Sequence, residues 1–265
     1  MAERIGPWTV RRTLYTSSDS RIVLTTNDWV LKVSDFISGE LIVLNRIKYW
    51  GVRRIVETPK DTTADGIGWY AMRLYDDHLG CNNYCRAHWR TFAINILEFL
   101  EDLHNIGFVH MDIKKGNILV DYTTNTCVVA DYEHAVPPNQ KTTGDYPADA
   151  AWYYIAMGAE MDKPLFSWRM DLIALAFVIS DLSAPVCRPN IFDHRTFELV
   201  CYERRKGTFE GASLEDILAL RAADIAAAHP DVQEYCRRLD EVSWYAPEPP
   251  CKKFYKEMRD LLTGS

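Results

Sequence analysis

His110-Met111-Asp112-Ile113-Lys114-Lys115-Gly116-Asn117 runs directly into Ile118-Leu119-Val120, a polar turn from Asp121 to Thr126, and Cys127-Val128-Val129-Ala130-Asp131. Two short apolar runs joined by a polar turn predict an antiparallel hairpin. Asn117 enters the first strand and Asp131 leaves the second, so the hairpin sets an amide oxygen beside a carboxylate. Hard oxygen donors of this kind suit Mg²⁺. Asp112 and Lys114 fall in the loop just before. They supply a carboxylate that can orient or deprotonate a hydroxyl, and an ammonium that can neutralise a phosphoryl group in transfer.

Upstream, Trp8 to Leu14, Arg21 to Thr25 and Trp29 to Val33 alternate as strands of a small antiparallel sheet, with polar turns between them. A helix follows, with Ser38 as its N-cap, and Glu40, Leu44 and Ile47 recur on one face of it. Trp69 to Leu74 reads as another strand, and residues 74 to 80 read as a linker. From Trp89 the register is helical, with Phe92, Ala93, Ile96, Leu100 and Leu103 on one face and Gly107 placed to end the helix left-handed. Met170 to Leu182 is almost wholly apolar, as a helix at the centre of a helical lobe would be. Helical segments are expected around Leu214 to Ala228 and Val232 to Leu239.

Composition narrows the class. The 265 residues are 48% hydrophobic and 25% charged, which excludes disordered and fibrous chains. The net charge of -7 has the wrong sign for gripping nucleic acid and favours basic partners. Seven cysteines without a regular framework read as reduced thiols of an intracellular protein, cytoplasmic or nuclear. The N-terminal MAERIGPWTV is not a secretory signal. The longest apolar run, Leu172 to Ile179, falls well short of the ~20 residues needed to cross a bilayer, so no membrane is expected.

The stretch HMDIKKGN resembles the HRDxKxxN catalytic loop of the eukaryotic protein kinases, and Asp131-Tyr132-Glu133 stands where they have DFG. Val30-Leu31-Lys32-Val33 resembles the strand that carries their ATP lysine, with Glu40 as its helix partner. Asp171 matches the helix that anchors the catalytic loop. Glu234 to Leu239 and Pro249 to Leu262 resemble the end of the casein kinase I and vaccinia-related kinase group, and the odd glycine-free loop is compatible with a viral member in a host cell.

This resemblance implies an α+β, bilobal protein-kinase-like fold. Residues 1–74 would form a small antiparallel β-sheet lobe with one helix, and residues 75–265 a larger, mainly helical lobe. It implies ATP and Mg²⁺ as cofactors and transfer of the γ-phosphate to serine or threonine of a protein substrate, a basic one on the charge balance. Asp112 would be the catalytic base and Lys114 would stabilise the phosphoryl group. Asn117 and Asp131 would hold Mg²⁺, and Lys32, braced by Glu40, would hold the ATP phosphates. Ser17, Ser20 and Ile22 would cover the nucleotide. Met72, Leu74 and Leu119 would line the adenine pocket, and backbone groups of Arg73, Leu74 and Tyr75 would read the base.

Several departures keep alternatives open. Tyr15, Ser17 and Ser20 replace the three glycines of the phosphate-covering loop, which favours a stiffer lid and a binding module with weak or no catalysis. Two of the replacements are small enough for their amides to reach a phosphate, whereas Tyr15 would point outward. Asp131-x-Glu133 is similar to the ending of small-molecule kinases acting on aminoglycosides or choline; Lys114 favours a protein substrate. Met111 replaces the arginine that pairs with an activation-loop phosphate, so activity would not await phosphorylation. Glu133 adds a carboxylate beside the metal. Ala159-Glu160 is the candidate for the segment equivalent to Ala-Pro-Glu. His110 reads as a structural residue, the Trp152-Tyr153-Tyr154 cluster as core, and Glu203 to Lys206 as a solvated face.

Overall fold

The computed structural model describes residues 2–18, 20–34, 37–58, 68–80, 82–138, 167–184, 226–242 and 248–264. The expectations at Trp152 to Tyr154, Ala159-Glu160, Glu203 to Lys206 and most of Leu214 to Ala228 lie outside these residues.

Five strands form one antiparallel sheet in chain order: β1 (Arg4–Ile5), β2 (Trp8–Thr16), β3 (Ser20–Thr25), β4 (Trp29–Ser34) and β5 (Trp69–Arg73). Alternation decides what each face buries. Val23, Leu31, Trp69 and Ala71 close a small outer cluster with Ile5, while Leu24, Val30, Tyr70 and Met72 join the main core. Lys32 follows Val30 on the inner face and pairs with Tyr70 across the strands, which is how a lysine comes to be only 7% exposed.

The inner face packs beside helix α1 (Ile37–Tyr49), which buries Ile37, Glu40, Leu41, Leu44 and Ile47. Ser38 lies inside this helix rather than capping it, because Ile37 is already helical. The expected linker is also more ordered than a plain connection. Within it β6 (Asp77–His78) pairs with β7 (Ile118–Asp121), and β7 pairs with β8 (Thr126–Val129) in a second, three-stranded sheet.

The remaining described elements include the helices α2 (Asn83–Ala87), α3 (Trp89–Asn105), α4 (Trp168–Ser183), α5 (Pro230–Arg238) and α6 (Lys252–Thr263). Trp89, Phe92, Ala93, Ile96, Leu100 and Leu103 form the buried stripe of α3. Gly107, at φ 82°, ends that helix, with Gly107 N–H donating to His104 O and Phe108 N–H to Leu103 O. Helix α4 is buried nearly all round and is capped by Ser167, whose Oγ accepts from Arg169 N–H. No helix among the described residues is long and apolar enough to cross a membrane.

Candidate active site

The loop before β7 is hung from α4. Asp171 Oδ2 accepts His110 N–H at 2.7 Å and Asp171 Oδ1 accepts Met111 N–H at 2.9 Å. His104 Nε2 adds a contact to Oδ2 at 3.0 Å, and its other nitrogen meets the Tyr255 hydroxyl of α6. His104 is therefore part of the anchor, a role that its place on the α3 face did not disclose. His110 is structural, as expected. Its Nδ1 accepts Asp112 N–H at 3.2 Å, so Nε2 carries the proton and faces Ala130 O at 3.2 Å. Burial pushes its pKa below the ordinary imidazole value, against the pull of Asp171, Asp112 and Asp131.

The anchored loop delivers Asp112, which is 2% exposed. Its Oδ2 receives Lys114 Nζ at 2.7 Å and Asn117 Nδ2 at 2.7 Å. Its Oδ1 is buried with no hydrogen-bond partner among the described residues. A 3₁₀ turn, Lys115–Asn117, brings Asn117 back toward Asp112, and Ala130 N–H donates to Asn117 O at 2.8 Å. Ile118 pairs with Val129, so the two ends of the hairpin lie side by side.

Asp131, at φ 67°, occupies the second of those ends. Its Oδ1 contacts Lys32 Nζ at 2.6 Å, and Glu40 Oε2 contacts the same nitrogen at 2.7 Å. Glu133 Oε2 approaches it to 3.9 Å. Burial opposes the charge on Lys32, but Glu40 and Asp131 outweigh burial and raise the lysine above its usual range. Burial would raise Asp131 too; Lys32 reverses that and holds its carboxyl below the ordinary value. Burial raises the pKa of Glu40, while Lys32, the Tyr70 hydroxyl at 2.8 Å and Tyr132 N–H at 3.1 Å hold its ionised form. Tyr70 and Tyr132 escaped the sequence reading, because strand register and the path after Asp131 decide that both reach Glu40.

Asn117 Nδ2 is committed to Asp112, which leaves its Oδ1; Asp131 Oδ1 is on Lys32, which leaves Oδ2. This pair, an amide oxygen and a carboxylate oxygen with no nitrogen or sulfur, fits Mg²⁺, which takes hard oxygen ligands and few carboxylates.

The residues expected around a nucleotide are less uniform. Ile22 packs against the core, Met72 is buried and Leu119 is half-buried in β7, but Leu74 is 40% exposed instead of packed. Arg73 N–H donates to Glu57 O, and its guanidinium bonds Asp121 Oδ2 at 2.7 Å, so that amide is already engaged. Tyr75 lends its hydroxyl to Glu57 N–H at 2.9 Å. At the turn between β2 and β3, Ser17 N–H donates to Ser20 O, and Ser20 N–H donates to Ser17 Oγ at 3.0 Å. Both serine amides expected to reach a phosphate are spent within the turn. Tyr15 is 55% exposed.

No protein-family model matches the sequence. Protein kinase gsk31 of the fission yeast Schizosaccharomyces pombe is 25% identical over 130 residues, 48% of this chain and 32% of that protein. The match thus spans about a third of the yeast kinase's length. The solved structure of vaccinia-related kinase 3 shares the architecture at a TM-score of 0.65, covering 97% of this chain and 87% of that one at 14% identity. The chain has the protein-kinase fold. Within that fold the hairpin ends, the Asp171-anchored loop and the Lys32–Glu40 pair form one cluster between the five-stranded sheet and α3 and α4.

Proposed function

We propose that this protein transfers the γ-phosphate of ATP to serine or threonine hydroxyls of a protein substrate, with the site between a sheet lobe at residues 1–74 and a helical lobe at 75–265. One observation carries the reading: Asp112 presents a buried oxygen with no partner among the described residues, while its second oxygen is held by Lys114 and Asn117. A buried acceptor left open costs free energy unless something uses it. A substrate hydroxyl supplies the missing donor.

Asp112 would take the hydroxyl proton as the substrate oxygen bonds to the γ-phosphorus and the bond from phosphorus to the ADP oxygen breaks. Lys114, half-exposed beside Asp112, would offset the charge of the phosphoryl oxygens. Lys32, fixed by Glu40, would hold the α- and β-phosphates once its contact with Asp131 is shared. Asn117 and Asp131 would hold Mg²⁺, which when bound neutralises phosphate charge. The placement of Lys114 and the charge of -7 support a protein substrate, and a basic one.

A γ-phosphate transfer assay on basic and acidic proteins, with Asp112→Asn beside the parent, tests this. Loss of about a thousandfold or more in the variant is expected, since general base and positioning roles are lost together. Equal incorporation by both would remove Asp112 from the chemistry. A second reading, a nucleotide-poor binding module, is favoured by the self-satisfied Ser17–Ser20 turn. No thermal stabilisation at millimolar Mg-ATP would establish it.

A further inference from the structure

Three carboxylates converge on one lysine. Glu40 and Asp131 contact Lys32 Nζ at 2.7 and 2.6 Å, and Glu133 stands at 3.9 Å from it. Adding Asp112 and Lys114 beside them, four carboxylates face two ammonium groups. Lys32 has two close partners in Glu40 and Asp131, and Glu133, at the outer edge of ion-pair distance, is a third carboxylate for one ammonium. The excess negative charge, with Glu40 and Asp112 buried and Asp131 and Glu133 about a third exposed, favours a cation.

The oxygens left open point the same way. Asn117, whose Nδ2 is committed to Asp112, keeps its Oδ1 free of any described bond, and Asp131, whose Oδ1 is on Lys32, keeps its Oδ2. Among the described residues no three His, Cys, Asp or Glu side chains close a metal cage by themselves. The set here is the two carboxylates of Asp131 and Glu133 and the amide oxygen of Asn117. Mg²⁺ and Mn²⁺ sites of kinase type draw on one or two carboxylates and complete their shell with substrate phosphates. A further protein carboxylate lessens that dependence. Glu133 is placed to be that carboxylate: its Oε2 and Asp131 Oδ1 both approach Lys32 Nζ, and the two side chains are 37% and 33% exposed, so both can meet an ion arriving from solvent.

We infer that Glu133 joins Asn117 and Asp131 as a third protein ligand for a divalent cation, and that the three hold the ion before any nucleotide arrives. The inference rests on the phosphotransfer reading for its setting, but it concerns an equilibrium that can be measured without ATP.

Mn²⁺ alone is the probe. Its free-ion electron paramagnetic resonance signal falls on binding, so titrating nucleotide-free protein reads occupancy directly. The parent protein should bind one Mn²⁺, Glu133→Gln should bind it about tenfold or more weakly, and Asp131→Asn should not bind it measurably, because affinity at oxygen sites follows the number of charged ligands. Without metal, Glu133→Gln should melt at a higher temperature than the parent, since it relieves repulsion from Asp131 and Glu40. A parent that leaves Mn²⁺ free overturns the inference. So does a Glu133→Gln protein that binds Mn²⁺ like the parent, or one that melts lower without metal, which would make Glu133 a partner of Lys32 instead. Each of these leaves the transfer assay to decide the kinase reading separately. Conversely, a protein that binds Mn²⁺ through Glu133 yet transfers no phosphate keeps this site and loses that reading.

Discussion

Asp171 Oδ1 accepts the backbone N–H of Met111 at 2.9 Å, and Met111 is held there at φ 72°, a left-handed conformation that a long side chain rarely adopts. The helix α4 carboxylate thus sets the backbone of the loop that presents Asp112. Asp171→Asn keeps one acceptor but turns an NH₂ group toward one of two buried N–H donors. We expect a loss of about 2–3 kcal/mol in stability, read from urea unfolding, and a fall in kcat larger than any change in KM. Unaltered stability would mean that the loop holds its shape without Asp171.

Lys32→Met removes the cation from between two carboxylates. Glu40, 1% exposed, then keeps among the described residues just the Tyr70 hydroxyl and Tyr132 N–H, and it escapes isolation by taking up a proton. Burial already raises its pKa, and losing Lys32 raises it further. A raised carboxyl pKa means that the folded state binds the proton more tightly, so stability is lost as pH climbs through that value. The variant should cost about 3 kcal/mol near pH 8 and clearly less near pH 5 in chemical unfolding. A penalty independent of pH would rule out proton uptake by Glu40.

His110 makes the opposite contribution. Its folded pKa lies below the ordinary imidazole value of 6.5 because burial disfavours the charged ring. As pH falls below 6.5 the unfolded chain takes up the proton first, so stability drops, whereas above 6.5 the contribution is complete. The slope approaches about 1.4 kcal/mol per pH unit for one proton. In His110→Phe, which keeps the ring contacts with Phe99 and Tyr132, overall stability should be lower but this component of the slope should vanish. Parallel pH profiles for the two proteins would contradict it.

Ser17→Gly combined with Ser20→Gly frees the Ser20 N–H from the Ser17 hydroxyl and lets the turn open. If these amides limit nucleotide binding, isothermal titration with Mg-ATP should show about threefold to tenfold tighter binding, the worth of about one hydrogen bond. An unchanged or weaker dissociation constant would show that the closed turn is not what limits binding.

The hairpin and its two oxygen-bearing ends were legible because turn and strand patterning are local, and the buried stripe of α3 because apolar residues repeat at helical spacing. The same local logic failed at Ser38, where a serine in the first turn looked like a cap although the helix already included Ile37. It failed again at residues 74 to 80, where polar residues hid a short strand that exists only because β7 offers it an edge. Ser17 and Ser20 looked merely small; that each would consume the other's amide depended on the turn's closure.

The residue types and spacings alone determined that an amide, two carboxylates and two lysines were available for phosphoryl chemistry, since those are properties of the chain. Tertiary structure decided the rest. Strand register placed Lys32 on the inner face opposite Tyr70, helix α4 brought Asp171 under the backbone of Met111, and together they left one oxygen of Asp112 buried and unpaired. Hydrogen bonds between residues 99 positions apart, such as Lys32 to Asp131, arise only when packing brings distant segments together, and no local pattern encodes which of several carboxylates will meet the ammonium.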